Sequence, residues 1–388
     1  MQRSTAPCEV AIVAGDLVKT GGMDRANYAL ADYLTRSGHS LSVVAHRVSR
    51  ELLERPAVRF HRVPKPLHSY LLGEPLLDGR GRMVARSVNG RGGIALVNGG
   101  NCVAGPVNWV HYVHAAYRPR RAANRRALVR SAYHHIARRR ELAAFARARL
   151  VIANSAATRR VLVERLGVKP DAAVVVYYGI DAAQFASRTP GRAAEVRQEL
   201  GWPERPTWAF VGALGDERKG FDTLFDAWRA LCKKPSWDAN LVAIGGGSDV
   251  EVWRARARAE GLGDRVQLLG FRGDVHRLLA ACDGLVAPTR YEAFGLGVAE
   301  ALAVGLPAIV SADAGVAELY PSDLGSLLLG DPESASELAR KLEAWREAPA
   351  ERTRLVEGLS ERVRGRTWDH MAEDIVTLMA ERIESHAR

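Results

Sequence analysis

The chain of 388 residues is 47% hydrophobic and 26% charged, the balance of a soluble globular protein, and its length calls for two domains. No apolar run approaches the roughly 20 residues of a membrane-spanning helix. The four cysteines (Cys8, Cys102, Cys232, Cys282) form no CxxC pair, which argues against a zinc site or a disulfide framework and fits a reducing cytoplasm.

The formal charge of +11 is concentrated: residues 118–149 carry eleven arginines and one glutamate, a local net of +10. The opening stretch, MQRSTAPCEVAIVAGD, reads as a first buried strand and lacks a signal-peptide layout.

Taken in chain order, short apolar runs alternate with helical patterns. EVAIVAG, LSVVAH, IALVNG, VNWVHYV, RLVIANS and AAVVVYYG come first, then TWAFVGA, NLVAIGGG, RVQLLG, GLVAPT and PAIVSA. Segments such as DRANYALADYLTRSGH and GFDTLFDAWRALCKK lie between them. Strand–helix–strand units with fully apolar strands imply an α/β fold of parallel sheets covered on both faces. The stretch GIDAAQFASRTPGRAAEVRQELGWPERP breaks the rhythm and places the junction near residues 180–205. The expected division is 1–185, 186–365 and a terminal helix at 366–388 that packs back on the first domain. Two doubly wound domains of this kind leave a cleft facing the carboxyl ends of their strands.

The loops at those strand ends carry the chemistry. In AGDLVKTGGMDRANYALADYL, Gly21 and Gly22 precede a helix near Asp24, a layout that admits a phosphate or sugar close to backbone N–H groups or is simply a turn. It matches neither a Walker loop nor GxGxxG, which counts against a dinucleotide oxidoreductase. In PVNWVHYVHAAY, His111 and His114 lie at a strand end, either as satisfied structural residues or as contacts to a substrate hydroxyl or oxyanion; the residues leave both readings open. In VGALGDERKGFDTLFDAW, Arg218 and Lys219 precede a helix and read as a diphosphate clamp or as a solvated charge run.

The stretch RYEAFGLGVAEALAVGLP sets Glu292 before a helix that starts near Gly295, and Glu300 some 7–8 Å along its axis at about 1.5 Å per residue. Carboxylates repel phosphate but accept paired hydrogen bonds from vicinal hydroxyls. A sugar, a diphosphate and a ribose in series is a nucleotide sugar.

TRYEAFGLGVAEALAVGLPAIVS resembles the Glu-x7-Glu motif of retaining GT-B nucleotide-sugar glycosyltransferases, the glycosyl transferase group 1 (family 4) type. The likeness extends through GGMDRANYALADYLTRSGHSLSVV, ARLVIANSAATRRVL, VVYYGID, ERKGFDTLFDAW and VQLLGFRGDVHRLLAACDGLVAPT, in the right order. It implies two Rossmann-like domains facing each other across a cleft. Glu292 would contact hydroxyls of the transferred sugar and Glu300 the ribose. Phe294, Gly295 and Leu296 would present amides to the sugar and diphosphate, and Arg218 and Lys219 would neutralise the leaving group. Gly21 and Gly22 would close over the donor, the nucleobase would sit near Phe271 and Arg272, and His111 or His114, with His114 favoured, would contact the sugar. Where many relatives have Gly-Arg-Leu this chain has Gly212-Ala213-Leu214, which leaves Arg218 to supply the second cation.

No Asp-x-Asp stands at a strand end, so neither metal nor cofactor is expected. The resemblance implies hexosyl transfer with retention, the leaving diphosphate helping to deprotonate the acceptor and neither glutamate acting as a covalent nucleophile. The expected donor is a UDP-, GDP- or ADP-sugar such as GDP-mannose, and the acceptor a glycan or a lipid-linked glycan of bacterial polysaccharide, lipopolysaccharide or glycolipid assembly. The expected location is cytoplasmic, or peripheral at the inner face of the plasma membrane, with 118–149 meeting anionic lipid. That basic segment, if helical, gathers Leu128, Ala132, His135 and Leu142 on one side. A non-hydrolysing nucleotide-sugar epimerase shares the two-domain cleft. A basic membrane- or nucleic-acid-binding protein would explain the arginines alone, but no nucleic-acid motif accompanies them.

Overall fold

A computed structural model describes residues 8–117, 125–347 and 349–387. The chain divides into two compact units: one runs to Gly179 and takes up the last helix from Trp368, and the other is Ile180–Thr367. The passage at Gly179 comes six residues before the sequence-based division. Ile180 forms a parallel bridge with Thr367, and its N–H donates to the Arg366 carbonyl at 2.8 Å, which ties it to the second unit.

The first unit is built on a seven-stranded, wholly parallel sheet: Glu9–Val13, Ser40–Ala45, Val58–Arg62, Ile94–Asn98, Val107–Val110, Leu150–Ala153 and Ala173–Val175. Numbered in chain order, the strands lie 3-2-1-4-5-6-7. The central ones are buried beyond their first residues because both faces carry helices, whereas Val58–Arg62 is a half-exposed edge. That edge strand, VRFHR, is polar because its outer face meets water, so it escapes a search for apolar runs.

Helix Gly22–Arg36 turns Leu30 and Leu34 inward and packs against the last helix, Trp368–Ala387, with Arg36 reaching Asp369 at 2.5 Å. The arginine-rich segment is helical over Arg125–Phe145. Its buried face is Ala137, Glu141, Ala144 and Phe145, so Ala132, His135 and Leu142 face solvent. Residues 118–124 and the Leu128 side chain lie outside the described set.

The second unit repeats the plan. Thr207–Val211, Asn240–Ile244, Val266–Gly270, Gly284–Ala287, Ala308–Ser311 and Leu328–Leu329 form a parallel sheet in the order 3-2-1-4-5-6. This strand order is that of doubly wound dinucleotide-type sheets, whose ligands lie beyond the carboxyl ends of the strands at the switch point between strands 1 and 4. Here those are Thr207–Val211 and Gly284–Ala287, followed by the loops that carry Lys219 and Glu292. The stretch read as a break holds a helix, Pro190–Glu199, with Thr189 as its N-cap and Pro190 at N1.

Candidate functional site: a lysine–glutamate pair before a helix N-terminus

Two loops of the second unit meet. After Thr207–Val211 the chain passes through the short turn Glu217–Lys219 into helix Phe221–Cys232. Gly220 makes that passage possible: its φ is 68°, and a Cβ there would lie 1.9 Å from the Pro288 carbonyl oxygen. Any side chain would push apart the strand end of Gly284–Ala287 and the lysine loop.

The second loop, Arg290–Phe294, leads into helix Leu296–Val304 through Gly295, whose φ is 110°. The Gly315 N–H donates to the Glu292 carbonyl and the Val316 N–H to that of Phe294, so the loop rests on the turn that follows the next strand. At the far end of the helix, the Ala303 carbonyl accepts from Ser360 Oγ at 3.1 Å and from Arg364 Nη1 at 2.6 Å.

The loops converge in one ion pair, Lys219 Nζ to Glu292 Oε2 at 2.5 Å. Both side chains are largely covered, at 26% and 20% exposure. The pair stands before the first amides of helix Leu296–Val304, which have no partner within the helix and carry the positive end of its dipole. Glu300 is buried on that helix at 8% exposure. An ammonium, helix amides and a carboxylate side by side suit a ligand that is anionic at one end and hydroxylated at the other.

Arg218 is placed differently from Lys219. Its guanidinium grips Asp216 through Nε at 2.9 Å and Nη2 at 2.6 Å, so its carboxylate partner lies within its own loop, whereas that of Lys219 lies across on the glutamate loop. Burial raises the Asp216 carboxyl, but the hydrogen bonds and charge of Arg218 outweigh that and hold it below its ordinary range. Arg272 is likewise paired, to Asp274 at 2.7 and 2.8 Å. Phe271, by contrast, is 74% exposed and stands beside Gly246 of the glycine loop, an open aromatic face at a strand end.

Sequence reasoning missed Arg290, although it sits in the motif itself. Its side chain, 8% exposed, donates to both carboxylate oxygens of Asp222 at 2.8 Å, to Glu333 at 2.9 Å and to the Glu217 carbonyl at 2.6 Å. Its own N–H donates to the Arg218 carbonyl at 2.7 Å. Arg290 therefore fastens the glutamate loop to the lysine loop.

In the first unit, Gly21 is the N-cap of helix Gly22–Arg36 with φ 81°. Below it Asp16 is fully buried and paired with Arg47 at 2.7 Å. Burial and the charge of Asp16 push the neighbouring Asp24 carboxyl up to about 7.

The two histidines separate. His111 is a core residue: Nδ1 meets the Tyr178 hydroxyl, Nε2 meets Asn27 Oδ1 at 3.3 Å, and the ring lies 4.3 Å from Trp109. Burial pushes its pKa down to about 3, so it stays neutral. Of the two readings left open for His111, these contacts are those of a satisfied structural residue, both ring nitrogens being bonded within the core. His114 is 22% exposed, with Nδ1 held by Glu141 at 2.6 Å. Among the described residues no group of three or more His, Cys, Asp or Glu is placed to hold a metal ion. Nor is any described helix long and apolar enough to cross a membrane.

Two Rossmann-like units, each built on a parallel sheet, are the plan of the GT-B fold, and comparison with known proteins agrees. Two family models divide the chain between them, Glycosyltransferase Family 4 over residues 20–184 and Glycosyl transferases group 1 over residues 193–362. The chain belongs to the group 1 glycosyltransferases.

A Mycobacterium tuberculosis relative, GDP-mannose-dependent alpha-(1-6)-phosphatidylinositol dimannoside mannosyltransferase, is 34% identical over 172 residues, 44% of this chain and 43% of its own length. The chain thus spans less than half the length of that relative. Among solved structures, sucrose-phosphate synthase from Thermosynechococcus elongatus superposes with TM-score 0.77 at 20% identity, covering 97% of this chain and all of its own (100%). Anabaena Alr3699/HepE in complex with UDP gives TM-score 0.72 at 20% identity, covering 97% and 100%.

Proposed function

We propose that the protein transfers a hexose from a nucleotide-diphosphate sugar to a hydroxyl of a glycan or lipid-linked acceptor, with retention of configuration, in bacterial polysaccharide or glycolipid assembly. The observation that carries this reading is the Lys219–Glu292 pair before helix Leu296–Val304. In the proposed complex Lys219 and the helix amides receive the diphosphate, and Glu292 turns from Lys219 to hydroxyls of the sugar. Glu300 takes the ribose and Phe271 stacks on the base. Lys219 then stabilises charge on the leaving diphosphate, and that diphosphate accepts the acceptor's proton on the face it vacates.

GDP-mannose is the first donor to test, because the mycobacterial relative is named for it. UDP-glucose follows, because UDP is bound in the Anabaena structure. The test is a thermal-shift screen of UDP-, GDP- and ADP-sugars, followed by donor turnover. Stabilisation and slow hydrolysis by one donor class support the reading. Interconversion of one nucleotide sugar into another would identify an epimerase instead, and no response to any of them would end the proposal.

The acceptor reading extends to anionic lipid. Helix Tyr70–Gly90 exposes Leu71, Leu72, Leu76 and Met83, and helix Arg125–Phe145 exposes Ile136 and Leu142. Between these helices lies a groove lined by Arg82, Ile136, Arg139, Arg140 and Arg147, among others. Apolar side chains among arginines suit an interfacial contact in which each basic residue contributes about 1 kcal/mol near an anionic surface.

A further inference from the structure

Helix Arg125–Phe145 belongs to a stretch with eleven arginines and a single glutamate, and that glutamate points inward: Glu141 is 2% exposed. A carboxylate surrounded by arginines gains nothing by leaving water unless a specific partner waits for it, since burying a charge is costly. The partner is His114, the first residue of the short turn after strand Val107–Val110. Glu141 Oε1 lies 2.6 Å from His114 Nδ1, and the backbone N–H of His114 donates to both carboxylate oxygens at 3.1 and 3.0 Å.

The chemistry of this contact fixes a proton. A carboxylate only accepts, so Nδ1 at 2.6 Å must carry hydrogen. In the neutral ring Nε2 then holds a lone pair. Among the described residues no protein group bonds to Nε2. The rings around it, Tyr112 at 4.7 Å, His134 at 5.6 Å and Tyr133 at 6.1 Å, meet the imidazole at steep angles and leave the His114 side chain 22% exposed. His111, three residues earlier, uses both of its nitrogens internally and has nothing to offer a ligand.

We propose that Glu141 is a positioning residue for substrate: it holds the His114 proton on Nδ1 and the ring in one orientation, leaving Nε2 as a hydrogen-bond acceptor for a substrate hydroxyl. This rests on the glycosyltransferase reading for its substrate, but the state of the ring can be read without any substrate.

The experiment has two arms. Nitrogen–proton correlation spectra of 15N-histidine-labelled protein report which ring nitrogen is protonated, with His114→Gln assigning the signal. Wild type is expected to show the Nδ1–H form at His114, and Glu141→Gln, of the same volume, a shift toward the Nε2–H form. In the second arm, kcat/KM is measured with the donor the screen identifies. Glu141→Gln and His114→Gln should each lose roughly tenfold, the worth of one hydrogen bond, and the double variant should be no worse than His114→Gln alone. An Nε2–H ring in wild type, a tautomer unmoved by Glu141→Gln, or losses that multiply in the double variant would each overturn the proposal. Should Glu141→Gln fail to fold, Glu141→Asp replaces it and the wild-type spectrum still decides. Absence of turnover with every nucleotide sugar would instead refute the glycosyltransferase reading and leave the spectral arm to settle Glu141.

Discussion

Replacing Arg290 by alanine tests whether the site is held by one side chain. The guanidinium, 8% exposed, makes four contacts to Asp222, Glu333 and the Glu217 carbonyl, and a fifth to Thr223 Oγ1 at 3.1 Å. Removing one partner of a fully buried ion pair costs about 3–5 kcal/mol. Asp222 and Glu333 are 37% and 55% exposed, however, so water takes up much of their lost interaction. That discount brings the charge contribution toward the value of a surface pair. The Thr223 hydroxyl, on a residue 5% exposed, has no such recourse.

The expected loss is about 2–3 kcal/mol, or about 4–12 °C in the melting temperature of a domain this size. Scanning calorimetry measures it on the transition of Ile180–Thr367. Arg290→Lys should recover less than half, because an ammonium cannot span both carboxylates as the planar fork does. Donor turnover should fall in both variants at temperatures where they remain folded, since the loops of Lys219 and Glu292 are no longer joined. A shift below about 2 °C with turnover retained would refute the reasoning.

Glu292→Ala and Lys219→Ala should each reduce transfer by orders of magnitude without unfolding the protein, each contact being worth about 1.5–3 kcal/mol or more in the transition state; near-normal rates in both would reject the assignment. Glu300→Ala should weaken donor binding more than it lowers kcat, because the ribose is remote from the reacting carbon, and titration calorimetry beside steady-state rates separates the two. Asp24 has a folded pKa raised from 3.8 to about 7, so the folded state favours its proton and stability falls as pH rises through that window. Asp24→Asn should therefore match wild type near pH 4 and exceed it at pH 8 in urea denaturation, and a gap that narrows with pH would contradict the sign. Co-sedimentation with anionic vesicles should be lost in a variant with Arg125, Arg126 and Arg139 changed to Gln and should weaken in wild type with salt. Arg140 is spared because it donates to the carbonyls of Glu74, Gly100 and Asn101.

The central strands were legible because a strand covered on both faces is apolar along its whole length. The edges were not: Val58–Arg62 alternates toward water, and Leu328–Leu329 is two residues long. Helix Pro190–Glu199 carried a readable Thr-Pro start that its glycine- and proline-rich flanks concealed. The Lys219–Glu292 loops were visible because each sits beside a helix start.

The choice between His111 and His114 was beyond local reading. His111 is satisfied by residues 67 and 84 positions away, and His114 by one 27 positions away. Arg290 escaped for the same reason, its carboxylate partners lying 68 and 43 positions off. Glu141 was hidden among arginines that suggested only a surface.

The chain passes between the units twice, at Gly179 and at Trp368, so the second unit is an insertion within the first. On the ribosome the seven-stranded sheet is therefore made early but finished late. Its last helix, with Met371, Ile375 and Met379 buried, follows the whole of Ile180–Thr367. At about 5–20 residues per second that is an interval of roughly ten to forty seconds, during which helix Gly22–Arg36 lacks its partner helix. The nascent protein thus holds a seven-stranded sheet without its last helix while the six-stranded sheet folds to completion, and translation stalled inside the second unit would leave the first open to chaperones and proteases.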